Sequence, residues 1–247
     1  MKYVDKDRAI STSFAKGLAV LEAFDARAPH LSMAEIARRT GQDRATARRG
    51  TLTLEALGYL ERKGRLFALS PKLLAMSGRF LQAKQILPHS QPILERCANE
   101  LKCPVYLATY WDARVLILAK SASAHSRYEV GTIVDPLHSA LGHILLASHD
   151  QESLDDGLSK CLEDTSITID KDAVIHQLDP VSDQGFASVQ ASDQPTSCAV
   201  PVSGEAMLAL SADLTKATPT SAEVELTVQV LQNCASALAR LPSIRDF

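Results

Sequence analysis

Three arginines, Arg44, Arg48 and Arg49, fall within six residues, with Thr46 among them and Arg38 and Arg39 shortly before. A guanidinium is a flat fork of donors that fits guanine O6 and N7, or a phosphate, two bonds at a time. A second cationic run, Arg62-Lys63-Gly64-Arg65, follows. These residue types offer polyanion recognition rather than bond making. The pair suited to bond making is His138-Ser139, a base beside a hydroxyl. Neighbours on a loop or helix point apart, and the sequence offers no evident third acid to orient the histidine, which argues against catalysis there. Cys198 lies in an apolar stretch and reads as inert core. His138, His143 and His149 lack a recognised ligand spacing for a metal. No cofactor is expected.

The arginines need elements to present them. Phe14, Leu18, Leu21 and Phe24 recur at helical spacing, with Ser13 as N-cap. Pro29 and His30 interrupt, and Ser32-Met33-Ala34-Glu35 forms a capping box that opens a second helix with Ile36 and Ala37 inward. Thr40-Gly41 closes it, because glycine takes the left-handed cap. Asp43 then caps a third helix, Arg44 to Leu57, with Leu54 and Leu57 for the core. A capped helix, a glycine turn and a helix with a cationic start make a helix-turn-helix, whose second helix enters the major groove by its N-terminal residues. Gly50 is costly inside a helix, and either permits a close crossing or merely weakens it. Gly58-Tyr59-Leu60 and Leu66 to Leu69 flank the basic turn as a hairpin, a wing suited to phosphate or the minor groove.

The 247 residues carry a formal charge of −3, which hides an asymmetry. Residues 1–80 sum to +7 and residues 81–247 to −10. A basic first third joined to an acidic remainder implies two domains with different partners, the acidic one facing away from nucleic acid. Hydrophobic residues at 46% suffice for a sizeable core and exclude a disordered chain. No apolar run reaches the roughly 18 residues of a membrane span, and the charged N-terminus lacks a signal-peptide core. Cys97, Cys103, Cys161, Cys198 and Cys234 are odd in number and widely spaced, which favours a reducing cytoplasmic setting.

Beyond Ser70-Pro71 a linking helix is expected to run to about Leu87 and stop at Pro88. Leu73, Leu74, Met76, Phe80 and Leu81 give it an apolar stripe, suited to a twin or to its own domain. Pro92 to Lys102 reads as a helix, and 105–110 and 115–120 as strands around a turn at Trp111 to Arg114. Tyr128 to Val130 reads as a weaker strand and Ser139 to Ser148 as a helix. Ser197 to Val202 and Ala206 to Ser211 form a hairpin around Ser203-Gly204-Glu205, before a closing helix from Glu223 to Leu241. Such mixing without strict alternation is an α+β pattern.

Several stretches together resemble the IclR-type bacterial transcription regulators. They are Lys16 to Phe24, Leu31 to Gly41, Arg44 to Arg49 and Thr53 to Leu60. In the second half Val130-Gly131, Ala140-Leu141-Gly142, Leu145-Leu146-Ala147 and Ser197 to Val202 are similar to the family's pocket-helix and C-terminal strand segments. The resemblance implies an α+β chain of a winged helix-turn-helix (residues 10–70), a linking helix (71–87) and a GAF-like antiparallel-sheet effector-binding and oligomerisation domain (88–247).

It implies a DNA-binding transcriptional regulator, a homodimer or dimer of dimers on double-stranded operator DNA, modulated by a small organic acid, aromatic acids included. The DNA-binding residues are then Arg38, Arg39, Arg44, Thr46, Arg48, Arg49, Arg62, Lys63 and Arg65. Ser139, Ala140 and Leu141 fall where family members line a carboxylate site, at a helix N-terminus whose amides favour an anion. Ser197, Ser211 and Asp213 fall at the other effector positions. His138 sits one residue nearer Gly142 than the family's usual histidine, and Gln190 and Ala191 occupy a stretch that often carries acids. Asp213 adds negative charge beside an expected acid, so either the ligand is less anionic or Asp213 points away. The competing readings are an enzyme, or a redox or metal sensor, on the same GAF-like domain, and a scaffold protein. Turnover of a small molecule distinguishes the enzyme, and the cationic winged pattern argues against the scaffold.

Overall fold

Side-chain caps set the helix boundaries of the N-terminal part. In a computed structural model of the chain, which describes residues 11–123, 126–148, 159, 171–190, 195–202, 207–216 and 218–245, Ser11 accepts from the Phe14 N–H and opens α1 (Thr12–Glu22). The cap is thus Ser11 rather than Ser13. Ser32 and Glu35 form both arms of the capping box of α2 (Met33–Thr40), which ends on Gly41 at φ 63°. Asp43 accepts from Thr46 N–H and opens α3 (Arg44–Ala56). The strands β1 (Leu31–Ser32), β2 (Leu60–Lys63) and β3 (Leu66–Leu69) form an antiparallel sheet in the order β1-β3-β2.

Two compact units divide at Phe80/Leu81. The first packs Val20, Phe24, Leu31, Ile36, Ala47, Leu54, Leu60 and Phe67 into one core. Each large side chain so buried contributes about 1.5–3 kcal/mol. Of the apolar residues at helical spacing along α1, Phe24 lies in this core and Leu21 packs on it, with Val20 and Ala23 beside them, while Phe14 and Leu18 are 69% and 44% exposed. Leu57, the C-cap of α3, is likewise exposed rather than core. A β-carbon on Gly50 would sit 3.4 Å from Val20 Cγ2 and 3.7 Å from Gly17 Cα, so α1 and α3 do cross closely there, at ordinary contact distance.

The helix α4 (Pro71–Lys84) carries the chain from one unit to the other and has no buried residue. It ends at Gln85, at φ 51°. From there α5 (Ile86–Leu101) runs through both Pro88 and Pro92. Pro88 sits in the first turn, where the missing N–H had no intrahelical partner, so it does not stop the helix.

The second unit is built on a six-stranded antiparallel sheet in the order β6-β5-β4-β9-β8-β7. Its strands are β4 (Val105–Trp111), β5 (Arg114–Lys120), β6 (Ile133–Val134), β7 (Ala187–Val189), β8 (Ser197–Val202) and β9 (Leu208–Asp213). The β4–β5 turn holds Asp112 and Ala113 at φ 48° and 57°, the twist that a two-residue hairpin requires. No strand forms at 128–130; the partner of β5 is Ile133–Val134, after a turn through Gly131. Because strand side chains alternate, one sheet face takes Leu107, Val200, Leu210 and Ala212 into a core with α5 and the closing helix α8 (Ser221–Leu238). The other takes Tyr106, Ala108, Ala199 and Ala209 against α6 (Ala140–Ala147).

The helix α7 (Lys171–Gln184) packs on α6. The closing helix begins two residues earlier than expected, at Ser221 behind the Thr220–Glu223 capping box. It stops at Leu238, and a short α9 (Pro242–Arg245) follows. The residues His149, Cys161, Ala191 and the turn Ser203-Gly204-Glu205, with Ala206, lie outside the described ones. Among the described residues no helix is long and apolar enough to cross a membrane.

Candidate nucleic-acid interface and ligand cavity

Gly41 turns the chain so that α3 starts directly after α2, and Gln42 locks the turn by donating to the Lys16 carbonyl at 2.9 Å. Ala47, Thr51 and Leu54 form the buried line of α3. At 3.6 residues per turn, Ala45 and Arg49 lie opposite that line and Arg48 to one side. Thr46, Arg49 and Thr53 line a groove with Phe14 and Leu18 of α1. Arg44, Arg48 and Arg49 are exposed, and none makes an ion pair or side-chain hydrogen bond with another described residue. Three exposed cations within two turns of one helix leave their donors to solvent, an arrangement favourable when a polyanion arrives.

The remaining basic residues sort differently. Arg39 is committed to the fold: its Nη1 donates to the Ala23 carbonyl and to Asp25 Oδ2, both at 2.8 Å. It latches α2 to the end of α1 and stays exposed on that surface. Asp25 is held below the usual carboxylate range, chiefly by that Arg39 bond. Arg38 is exposed beside it. In the wing, Arg62 and Lys63 belong to β2 rather than to the turn. Arg62 folds back, its Nε donating to Gly64 O at 3.1 Å with the guanidinium 5.5 Å from the Phe67 ring centre. Lys63 and Arg65 are exposed at the tip.

The second unit gathers Ser139, Ala140, Leu141, Ser197, Ser211 and Asp213, from three separate stretches, around one cavity. Its empty volume is about 320 Å³ counted out to the mouth, and its centre is narrow, with room for about one water molecule. Strand pairing sets one wall: Ser197 stands opposite Asp213 and Ala199 opposite Ser211. The start of α6 sets another. Ser139 caps it, accepting from Gly142 N–H at 3.1 Å and donating to Asp135 O at 2.7 Å. That hydroxyl is spent on the turn, and His138 does not bond to it. His138 instead pairs through Nδ1 with Asp135 Oδ2 at 2.8 Å. An orienting acid for the histidine therefore exists, but no nucleophile meets it among the described residues. His143 Nε2 bonds to the Leu137 carbonyl at 2.9 Å, and burial holds its pKa below the ordinary histidine value.

Asp213 is the unusual wall residue. It is 5% exposed; Oδ1 accepts a short hydrogen bond from Ser197 Oγ, and Oδ2 is buried with no hydrogen-bond partner among the described residues. Burial pushes its pKa up, and Ser197, the Arg127 charge and Tyr106 offset this only in part. Arg127, Tyr128, His138 and Val189 complete the lining. Arg127 and Tyr128 were not legible as site residues. Their segment is held by long-range contacts: Arg127 N–H donates to Tyr106 Oη at 2.7 Å, and Tyr128 meets the Tyr106 ring edge-on at 5.3 Å. The Tyr106 hydroxyl is pushed up to about 12 by its burial and the nearby Asp213 charge, so it stays protonated.

The sequence pattern described as the IclR helix-turn-helix domain matches residues 13–64, and that of the bacterial transcriptional regulator IclR C-terminal domain matches residues 78–240. The chain belongs to the IclR family. It is a DNA-binding transcriptional regulator and not an enzyme. The IclR relationship extends to the Pca regulon regulatory protein of Pseudomonas putida, 33% identical over 231 residues, 89% of this chain and 79% of that one. An IclR family transcriptional regulator from Brucella abortus shares the fold at a TM-score of 0.82, with 22% identity over 95% of this chain and 94% of its own. So does an IclR homologue from Microbacterium hydrocarbonoxydans complexed with 4-hydroxybenzoate, at a TM-score of 0.74 and 22% identity, covering 96% and 100% of the two chains. The α+β architecture, a helix-turn-helix unit followed by a curled antiparallel sheet, is the IclR architecture.

Proposed function

We propose that this regulator senses a small organic acid, aromatic acids included, in the cavity bounded by Ser139, Ala140, Leu141, Ser197, Ser211 and Asp213. The observation that carries the reading is the convergence of those six residues, far apart in sequence, on one cavity. The amides that open α6 and the Arg127 guanidinium supply positive potential for a carboxylate. The relative that holds 4-hydroxybenzoate supports the same class of guest. Since the centre is narrow, a guest has to part the walls, and a sensor must bind one arrangement better than another to signal at all.

Arg44, Thr46, Arg48 and Arg49 read base edges in this proposal, and Arg38, Arg62, Lys63 and Arg65 contact phosphate. Residues 10–70 form the DNA-binding domain, 71–87 the link, and 88–247 the effector and oligomerisation domain. The protein acts in the cytoplasm as a homodimer or dimer of dimers, with half-sites roughly 34 Å apart or a multiple of that. The exposed apolar side chains of Leu74 and Met76 on α4 favour self-association. The test is reciprocity. Effector titrations with and without operator DNA should give affinities that differ by the same factor as operator titrations with and without effector. Coincident curves in both pairs would remove the coupling.

A further inference from the structure

Resting on the effector reading above, we infer that Asp213 is the specificity residue of the cavity, its free oxygen accepting a hydrogen bond from a hydroxyl on the guest. The guest is then a hydroxyl-bearing monocarboxylate rather than a dicarboxylate.

Three observations lead there. First, Oδ2 of Asp213 is buried without a partner among the described residues, in a wall of the cavity. A buried carboxylate oxygen left unpaired is costly, and a site that keeps one is completed by what it binds. Second, the orientation of the carboxyl group is fixed. Ser197 stands opposite Asp213 in the β8–β9 register and holds Oδ1, so Oδ2 is the oxygen left over. Third, the described neighbours do not meet it. Ser139 is spent on the α6 cap, Ser197 already donates to Oδ1, and the Tyr106 hydroxyl, near enough to offset part of the rise in the Asp213 pKa, makes no hydrogen bond to Oδ2.

The opposite end of the guest follows from charge. The amides of Ala140 and Leu141 at the start of α6, with Arg127, are where a carboxylate finds donors and positive potential. A second carboxylate would have to lie against Asp213, where like charges in a desolvated site repel. Burial already raises the pKa of Asp213, so this site resists one more negative charge.

The experiment is calorimetric titration of the full chain with benzoate, 4-hydroxybenzoate and terephthalate, read as affinity ratios within each protein so that any general weakening cancels. The wild type should bind 4-hydroxybenzoate at least about tenfold more tightly than benzoate, with terephthalate weakest. In Asp213→Asn the amide oxygen stays on Ser197 and an NH₂ group takes the place of Oδ2. Because that NH₂ group can donate to the phenol oxygen, the preference for 4-hydroxybenzoate should shrink rather than vanish, while terephthalate, an acceptor only, gains. Asp213→Ser should lose the preference without the gain. A wild type that binds benzoate equally well, or prefers terephthalate, overturns the inference alone, and so does an unchanged ratio in Asp213→Asn. If neither variant binds, the wild-type ratio decides. Failure of all three acids to bind the wild type overturns the effector reading and this inference with it.

Discussion

Gly142 lies against Pro136 so closely that a β-carbon on it would be 2.0 Å from the Pro136 carbonyl oxygen and 2.2 Å from the Pro136 Cα. The first turn of α6 therefore rests directly on the backbone of the short 3-10 turn Pro136–His138. Both are parts of the cavity wall. Gly142→Ala has to push the two apart, and overpacking of this kind costs about 1–3 kcal/mol. The expected outcome is a lower melting temperature of the C-terminal unit and loss of effector affinity, both measurable by calorimetry. Unchanged affinity would mean that the wall adapts.

Gly50 makes the opposite prediction. Its missing β-carbon would meet Val20 and Gly17 at ordinary contact distance. Alanine gains about 0.5–1 kcal/mol over glycine inside a helix. Gly50→Ala should thus raise the urea midpoint of the N-terminal unit. A fall would show that Val20 cannot yield.

Asp213 ties stability to pH. Its folded-state pKa is raised by burial. The neutral carboxyl therefore favours the fold below the usual aspartate value, and that contribution is lost as pH rises through the raised folded value. Asparagine does not titrate. Relative to wild type, Asp213→Asn should gain stability as pH rises from about 4 to above neutral. Denaturant unfolding of both proteins at the two ends of this range checks it, and a relative loss on raising the pH contradicts the sign.

Arg48 and Arg39 separate recognition from scaffolding. Arg48→Ala should weaken operator binding by about 1–3 kcal/mol and scrambled DNA much less, if it forks onto a base. Arg65→Ala should weaken both alike and reduce the salt slope by about 1. Arg39→Ala should instead lower the melting temperature of the N-terminal unit through the lost bonds to Ala23 and Asp25, with the salt slope unchanged. Anisotropy titrations over a salt series read all three.

What was legible in the sequence was local. The Ser32–Glu35 box, the Asp43 cap and the Gly41 turn each depend on a few consecutive residues, and each formed as read. The period of α1 placed Leu21 and Phe24 at the core, but Phe14 and Leu18, which match the same spacing, stay exposed, and Val20 packs where α1 meets α3. Pro88 misled because a proline is harmless in a first turn, and the real break, Gln85 in left-handed conformation, has no strong signature. In the cavity the six expected residues came together, but Arg127 and Tyr128 join them through contacts with Tyr106, twenty-odd residues away on β4. No short-range pattern encodes that.

The strands β8 and β9 each divide their residues between two duties. Cys198, Val200, Leu210 and Ala212 hold the sheet to α5 and α8, while Ser197, Ser211 and Asp213 alternate with them on the side of the cavity. Exchange of the second set leaves the first untouched. Substitution at Ser197, Ser211 or Asp213 therefore alters the cavity wall while the packing of the sheet on α5 and α8 keeps its own residues.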